Sequence, residues 1–230
     1  MIQREVLTRV FRIRYAGGGA TAFTMEHAGV QFLVTAKHVF EKTKWPANDK
    51  IELLIEGVYK PLDVEIKYPK DGRIDIAVMK TNPYEELNSP NGVQFTSNGL
   101  IFGQDVYFLG FPFNYDSLLA KFPGSNSPVP FIKKACFSGM LNPSPSMLFL
   151  DGYNNQGFSG GPVCFKNAND KSFSIAGVIS GYRYRGSPVF DAKTHMECPL
   201  YVKENTGIIE ASDISFAVTV AQEWIHNNNP

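Results

Sequence analysis

The chain has 230 residues, 43% hydrophobic and 19% charged, and its 22 basic and 22 acidic side chains cancel to a formal net charge of zero. This is the composition of a globular protein with enough apolar material for a core. It supplies no basic field for nucleic acid or an anionic membrane surface, and no run approaches the roughly 18 apolar residues of a membrane-spanning helix.

Short apolar runs separated by Gly, Pro, Asn and Asp follow one another along the chain, a pattern that predicts an all-β fold. The first series comprises Leu7–Tyr15, Ala20–Glu26, Val30–Thr35, Lys50–Glu56, Leu62–Tyr68 and Ile76–Lys80. A polar connector near Thr81–Gly99 precedes the second series, Asp105–Leu109, Phe131–Phe137, Met147–Leu150, Gly161–Phe165, Phe173–Tyr182 and Gly207–Ala211. Six strands on each side of a connector predict two six-stranded antiparallel barrels, spanning 1–90 and 100–212. The Pro-, Ser- and Asn-rich run Phe113–Pro130 reads as a long surface loop. Ile214, Ala217, Val218, Ala221, Trp224 and Ile225 recur at helical spacing, which predicts a C-terminal helix over 213–227 with Ser212 or Asp213 as its N-cap. No repeat of solenoid or propeller period is present.

The start, Met1-Ile2-Gln3-Arg4-Glu5-Val6, lacks the apolar stretch of a secretory signal. Three cysteines, Cys136, Cys164 and Cys198, are too few and too odd for a disulfide framework, so a reducing, cytoplasmic setting is expected. The predicted strands leave room for Cys136 and Cys164 to lie on neighbouring strands of the second barrel. His195 and Cys198 are three apart, but nothing nearby completes the four ligands of a structural zinc site, so no metal and no cofactor are expected.

Three short blocks carry chemistry. Val34-Thr35-Ala36-Lys37-His38-Val39 sets a histidine at the end of an apolar strand, and Asp75-Ile76-Ala77-Val78-Met79 opens another strand with an aspartate. Gly157-Phe158-Ser159-Gly160-Gly161-Pro162 holds a serine in a glycine-rich turn. Each has a plain reading alone: a turn serine, a structural histidine, a strand-start carboxylate. Together they hold what nucleophilic catalysis needs. A serine hydroxyl is a poor nucleophile near neutral pH unless a base takes its proton, and an imidazole of pKa roughly 6.5 suits that role. A carboxylate fixes the tautomer, and a glycine-rich turn lets backbone amides reach a developing oxyanion.

The order His, Asp, Ser resembles the chymotrypsin arrangement, and the chain is similar to trypsin-like serine peptidases, above all to bacterial HtrA-like protease cores. The resemblance runs from about Gly17 to Val220. Gly17–Phe23, Thr35-Ala36-Lys37-His38, Asp75-Ile76-Ala77-Val78, Val106–Phe113 and Asp151–Pro162 each look like a block of that family. It implies a serine endopeptidase without cofactor, acting on polypeptides through an acyl-enzyme. Ser159 would be the nucleophile, His38 the base and Asp75 its orienting group, with an oxyanion hole formed by the amides of Gly157 and Ser159. Ser180 matches a position whose hydroxyl supports the aspartate. Tyr153, Gly181 and Tyr182 fall where relatives contact substrate.

The departures carry expectations of their own. Phe158 replaces the aspartate that receives a new N-terminus in trypsins, so activation of that kind is not expected. Tyr153 falls at the base of the primary pocket, where it disfavours cleavage after Arg or Lys and would fill the pocket. No PDZ domain is expected. The rival reading is a catalytically silent chymotrypsin-fold binding module, or a latent protease whose oxyanion hole forms by a peptide flip at Gly157 when an activating protein partner binds. An esterase or acyl transferase would use the same machinery.

Overall fold

The structure, a computed structural model, describes residues 2–227 except 82–86, 88–91, 114, 116–119, 124–126, 142–146 and 169–171. The strands β1 (Val10–Tyr15), β2 (Gly18–His27), β3 (Val30–Thr35), β4 (Asn48–Ile55), β5 (Val58–Lys67) and β6 (Ala77–Thr81) close into an antiparallel barrel ordered β1-β2-β3-β6-β5-β4. Alternation explains its filling: Ile13, Leu33, Ile51, Leu53, Leu62, Val64 and Met79 point inward and are buried together.

A second ring runs β11-β8-β9-β10-β13-β12 and closes through β11–β12 pairing, with β7 (Gln94–Phe95) added in parallel to β12. Its members are β8 (Asp105–Gly110), β9 (Phe131–Leu141), β10 (Met147–Asp151), β11 (Pro162–Lys166), β12 (Phe173–Phe190) and β13 (Glu197–Asp213). Val106, Phe108, Phe137, Leu150, Phe158, Phe165 and Ile209 fill its interior. A third apolar cluster joins the barrels. Phe23, Val34 and Val78 from the first meet Leu109, Ile175 and Val178 from the second, and helix α2 (Ser215–His226) packs Ala217, Ala221 and Trp224 onto them. The architecture is thus the predicted pair of six-stranded barrels with a C-terminal helix.

Several boundaries differ from the sequence reading. The residues before Val10 form a short helix, α1 (Arg4–Leu7), where a strand start was expected. β12 and β13 run well past Tyr182 and begin well before Gly207, extending outward as a two-stranded ribbon from Tyr184↔Asn205 to Phe190↔Glu197. One face of that ribbon exposes Tyr184, Phe190 and Tyr201, and the other pairs Arg185 with Glu204. Gly186-Ser187-Pro188 carries no apolar alternation, and a ribbon packed on nothing shows no burial alternation. Cys136 on β9 and Cys164 on β11 are not neighbours: β8 lies between them, and all three cysteines are free. The helix N-cap position is Ile214, while Asp213 Oδ1 accepts the Ser215 amide at 2.8 Å. Parts of the connector Thr81–Gly99, of the loop Phe113–Pro130 and of the C-terminal tail lie outside the described residues. Among the described residues no helix is long and apolar enough to cross a membrane.

Candidate active site

The histidine and the aspartate arrive from adjacent strands. β3 ends at Thr35, and the chain then enters a 3₁₀ turn, Lys37–Thr43, that carries His38. Because Thr35 lies opposite Ala77 on β6, Asp75, just ahead of β6, falls beside that turn. The carboxylate holds the histidine twice, facing Nδ1 with Oδ2 at 2.7 Å and accepting the His38 backbone N–H on Oδ1 at 2.8 Å. A carboxylate acceptor assigns the proton to Nδ1 and leaves Nε2 as the open base. The side chains remain 40% and 22% exposed. Burial by itself would lower the imidazole pKa, but the hydrogen bond and charge of Asp75, with the charge of Glu41, raise it above the ordinary histidine value.

Ser212 stands behind the aspartate. Its Oγ accepts the Asp75 N–H at 3.3 Å and shares a 3.1 Å hydrogen bond with Ser180 Oγ. Among the described residues Ser180 therefore reaches Asp75 through Ser212. The sequence reading had placed Ser212 only as a helix cap. Its functional position comes from the Val178↔Ser212 register of β12 and β13, which no local pattern encodes.

The serine loop is held by a full set of hydrogen bonds to its carbonyls. Tyr153 O accepts from Lys133 Nζ, Asn154 O from Asn205 Nδ2 (3.0 Å), Asn155 O from Phe158 N (3.4 Å) and Gln156 O from Phe113 N (3.2 Å). Gly157 O accepts from Thr21 Oγ1 (2.7 Å), Phe158 O from Gly161 N (2.8 Å) and Ser159 O from Thr21 N (2.9 Å). With Gln156 O committed to Phe113, planarity turns the Gly157 N–H of a trans peptide away from Phe113. Among the described residues the amides of Gly157 and Ser159 have no hydrogen-bond partner, which is the state a pair of oxyanion donors must have.

Glycine is required at two points of this loop. Gly157 has φ +100°, and a Cβ there would lie 2.2 Å from Phe111 O. Gly160 has φ +80°, and a Cβ would lie 2.1 Å from Thr35 Oγ1 and 2.8 Å from Ala36 N. That bare contact lets the serine loop rest on the residues immediately before His38. Thr21 on β2 ties the two barrels here; it is fully buried, and its hydroxyl also accepts the Phe111 N–H at 3.2 Å. Among the described residues no hydrogen bond joins Ser159 Oγ to His38. Such contacts are commonly loose in unliganded sites and tighten around substrate.

Phe158 turns inward, fully buried against Phe108 with ring centroids 4.9 Å apart. An apolar residue there anchors the loop in the barrel core. Tyr153 does not fill a pocket: the residue is 58% exposed and its ring centroid stands 5.3 Å from the Lys133 ammonium. Its carbonyl is drawn inward by that lysine, which leaves the side chain outside. Beside the loop, β12 from Ser180 onward pairs only with β13 among the described strands, so Ser180-Gly181-Tyr182 presents an open edge. Nothing lies within 4 Å of a Cβ built on Gly181, and Asn154 Nδ2 anchors the Gly181 carbonyl at 3.2 Å.

No family model matches the sequence, and no curated protein does. Solved structures do. The HtrA-type protease AlgW aligns over 97% of this chain and 62% of its own, with TM-score 0.60 and 17% identity. The present chain has the trypsin-like double-barrel fold. Deg5 aligns over 94% of this chain and 88% of its own, with TM-score 0.57 and 19% identity. The inactive form of the Rv3671c protease of M. tuberculosis aligns over 93% and 87%, with TM-score 0.56 and 14% identity. At these identities the likeness is one of architecture, and it extends over nearly the whole of the present chain.

Proposed function

We propose that this protein is a serine endopeptidase of the trypsin-like kind, hydrolysing polypeptides through an acyl-enzyme. Ser159 attacks the scissile carbonyl, His38 Nε2 takes its proton and returns it to the leaving amine, and Asp75 holds the imidazole in the required tautomer. The amides of Gly157 and Ser159 receive the oxyanion. Substrate binds as an extended strand against the open edge of Ser180-Gly181-Tyr182, with Tyr153 at the rim. No cofactor takes part, and three unpaired cysteines suit a reducing cytoplasm.

The observation that supports this reading is that the Gly157 and Ser159 amides have no hydrogen-bond partner among the described residues, in a loop whose Gly160 abuts Thr35 and Ala36 just ahead of the Asp75-bound His38. The second reading, a silent or partner-activated module, is favoured by one observation, that no hydrogen bond joins Ser159 to His38 among the described residues.

Intact-protein mass after incubation with a fluorophosphonate separates the two. The endopeptidase reading expects one covalent adduct on the wild type and none on Ser159→Ala. An unmodified wild type would sink it in favour of the silent module.

A further inference from the structure

Lys133 breaks the pattern of its own strand. In β9, Ala135 and Phe137 are buried in the second barrel, and Lys133 continues their inward-facing series, opposite the fully buried Phe108 on β8. An inward position near a barrel end is ordinarily apolar, and a desolvated ammonium there is costly unless it is used. No carboxylate lies in salt-bridge range of Lys133 among the described residues. Instead Nζ donates to Tyr153 O and to Asn155 Oδ1, the latter at 2.9 Å. The rings of Tyr153, Phe108 and Phe158 lie 5.3, 5.9 and 5.9 Å from it. Both acceptors belong to the serine loop, and Asn155 in turn receives the Phe158 amide, one residue before Ser159.

We infer that Lys133 is a positioning residue for the serine loop, its ammonium clamping Tyr153 and Asn155 so that the Gly157 and Ser159 amides stay aligned. The assignment rests on the proposed role of Ser159. It makes competence sensitive to a proton: the charge-assisted hydrogen bonds of the ammonium are stronger than those a neutral amine donates, and burial lowers its pKa from the ordinary lysine value. Function is therefore fullest while Lys133 is protonated and weakens as pH rises through that lowered pKa. The titratable side chain facing the ammonium is the Tyr153 phenol. Lys134 turns to the other face of the strand, where it pairs with Asp105 at 2.8 Å.

The test measures the fluorophosphonate inactivation rate against pH for the wild type, Lys133→Met, Lys133→Arg and Tyr153→Phe, with residue-resolved amide exchange over 152–160. Wild type should lose rate at alkaline pH, before the ordinary lysine range. Lys133→Met should be slower by about 10²-fold, the scale of a misplacement near 1 Å, with no alkaline fall. Lys133→Arg should carry the fall to higher pH, because guanidinium stays charged, and Tyr153→Phe should leave it in place. Exchange at the Asn155 and Phe158 amides should quicken about tenfold in Lys133→Met, with the barrel amides unchanged. A Lys133→Met variant with wild-type rate and exchange overturns the inference, as does an alkaline fall that Lys133→Arg leaves unmoved or that Tyr153→Phe removes. If Lys133→Met does not fold, the arginine profile decides. A wild type that never reacts would refute the endopeptidase reading, and amide exchange would still judge the lysine.

Discussion

A serine, a histidine and an aspartate work as a unit only when each leaves the next in the right protonation state. The doubly held Asp75 leaves His38 Nε2 open, so Asp75→Asn, which reverses the tautomer preference, should lower turnover by on the order of 10⁴. Near-normal peptidase activity in that variant would remove Asp75 from the mechanism. The raised pKa of His38 sets the direction of the pH response. The neutral base is the competent form, so the adduct rate should climb with pH around a midpoint above roughly 6.5, the unperturbed histidine value, and that midpoint should fall in Asp75→Asn. The same raised pKa stabilises the fold: its contribution is fully present below the unfolded value and lost as pH rises through the folded one. Thermal midpoints of wild type and His38→Ala across that window should converge as pH increases.

The strands matter here for what they deliver at their ends. β2 supplies Thr21, whose backbone and hydroxyl hold Ser159, Gly157 and Phe111 at the seam between the barrels. Thr21→Val keeps the shape and removes the hydroxyl, leaving the half-buried Gly157 carbonyl and the buried Phe111 N–H without this partner. It should cost about 1–3 kcal/mol in a denaturant melt and slow Ser159 labelling together with it. A variant as stable and as reactive as wild type would show that the seam does not depend on this bond. Gly157→Ala should be worse for labelling, since its methyl group meets the Phe111 carbonyl.

The barrels and the terminal helix share one apolar cluster, so the helix acts on the whole molecule. Trp224 packs on Phe32 at 5.7 Å between centroids and lies under Lys67 Nζ at 4.3 Å. Trp224→Ala should cost about 3–5 kcal/mol, measured as a drop in melting temperature, with the adduct rate below that temperature unchanged. Because all three cysteines are free and β8 separates Cys136 from Cys164, adding reductant should leave the melting temperature where it was.

Much of this was legible in local pattern. Apolar alternation marks a strand wherever one face is buried, which is why both barrels could be counted. His38, Asp75 and Ser159 stand out because each sits in a short block with its own residue requirements. Where burial alternation fails the reading fails too, as in the outer ribbon around Gly186 and in the two-residue β7 inside a polar connector. Ser212, Thr21 and Lys133 were invisible as parts of the site, because what distinguishes them is a partner far along the chain. Ser212 looked like a helix cap, and Thr21 like one residue in a strand. Sequence alone thus determined the fold class and the six barrel strands on each side of the connector, and singled out three residues with intrinsic chemistry, since those follow from side-chain type and short-range period. Tertiary structure decided which backbone amides stay free, which hydroxyl backs the aspartate and where the lysine points, because hydrogen-bond partners are chosen by register and barrel closure.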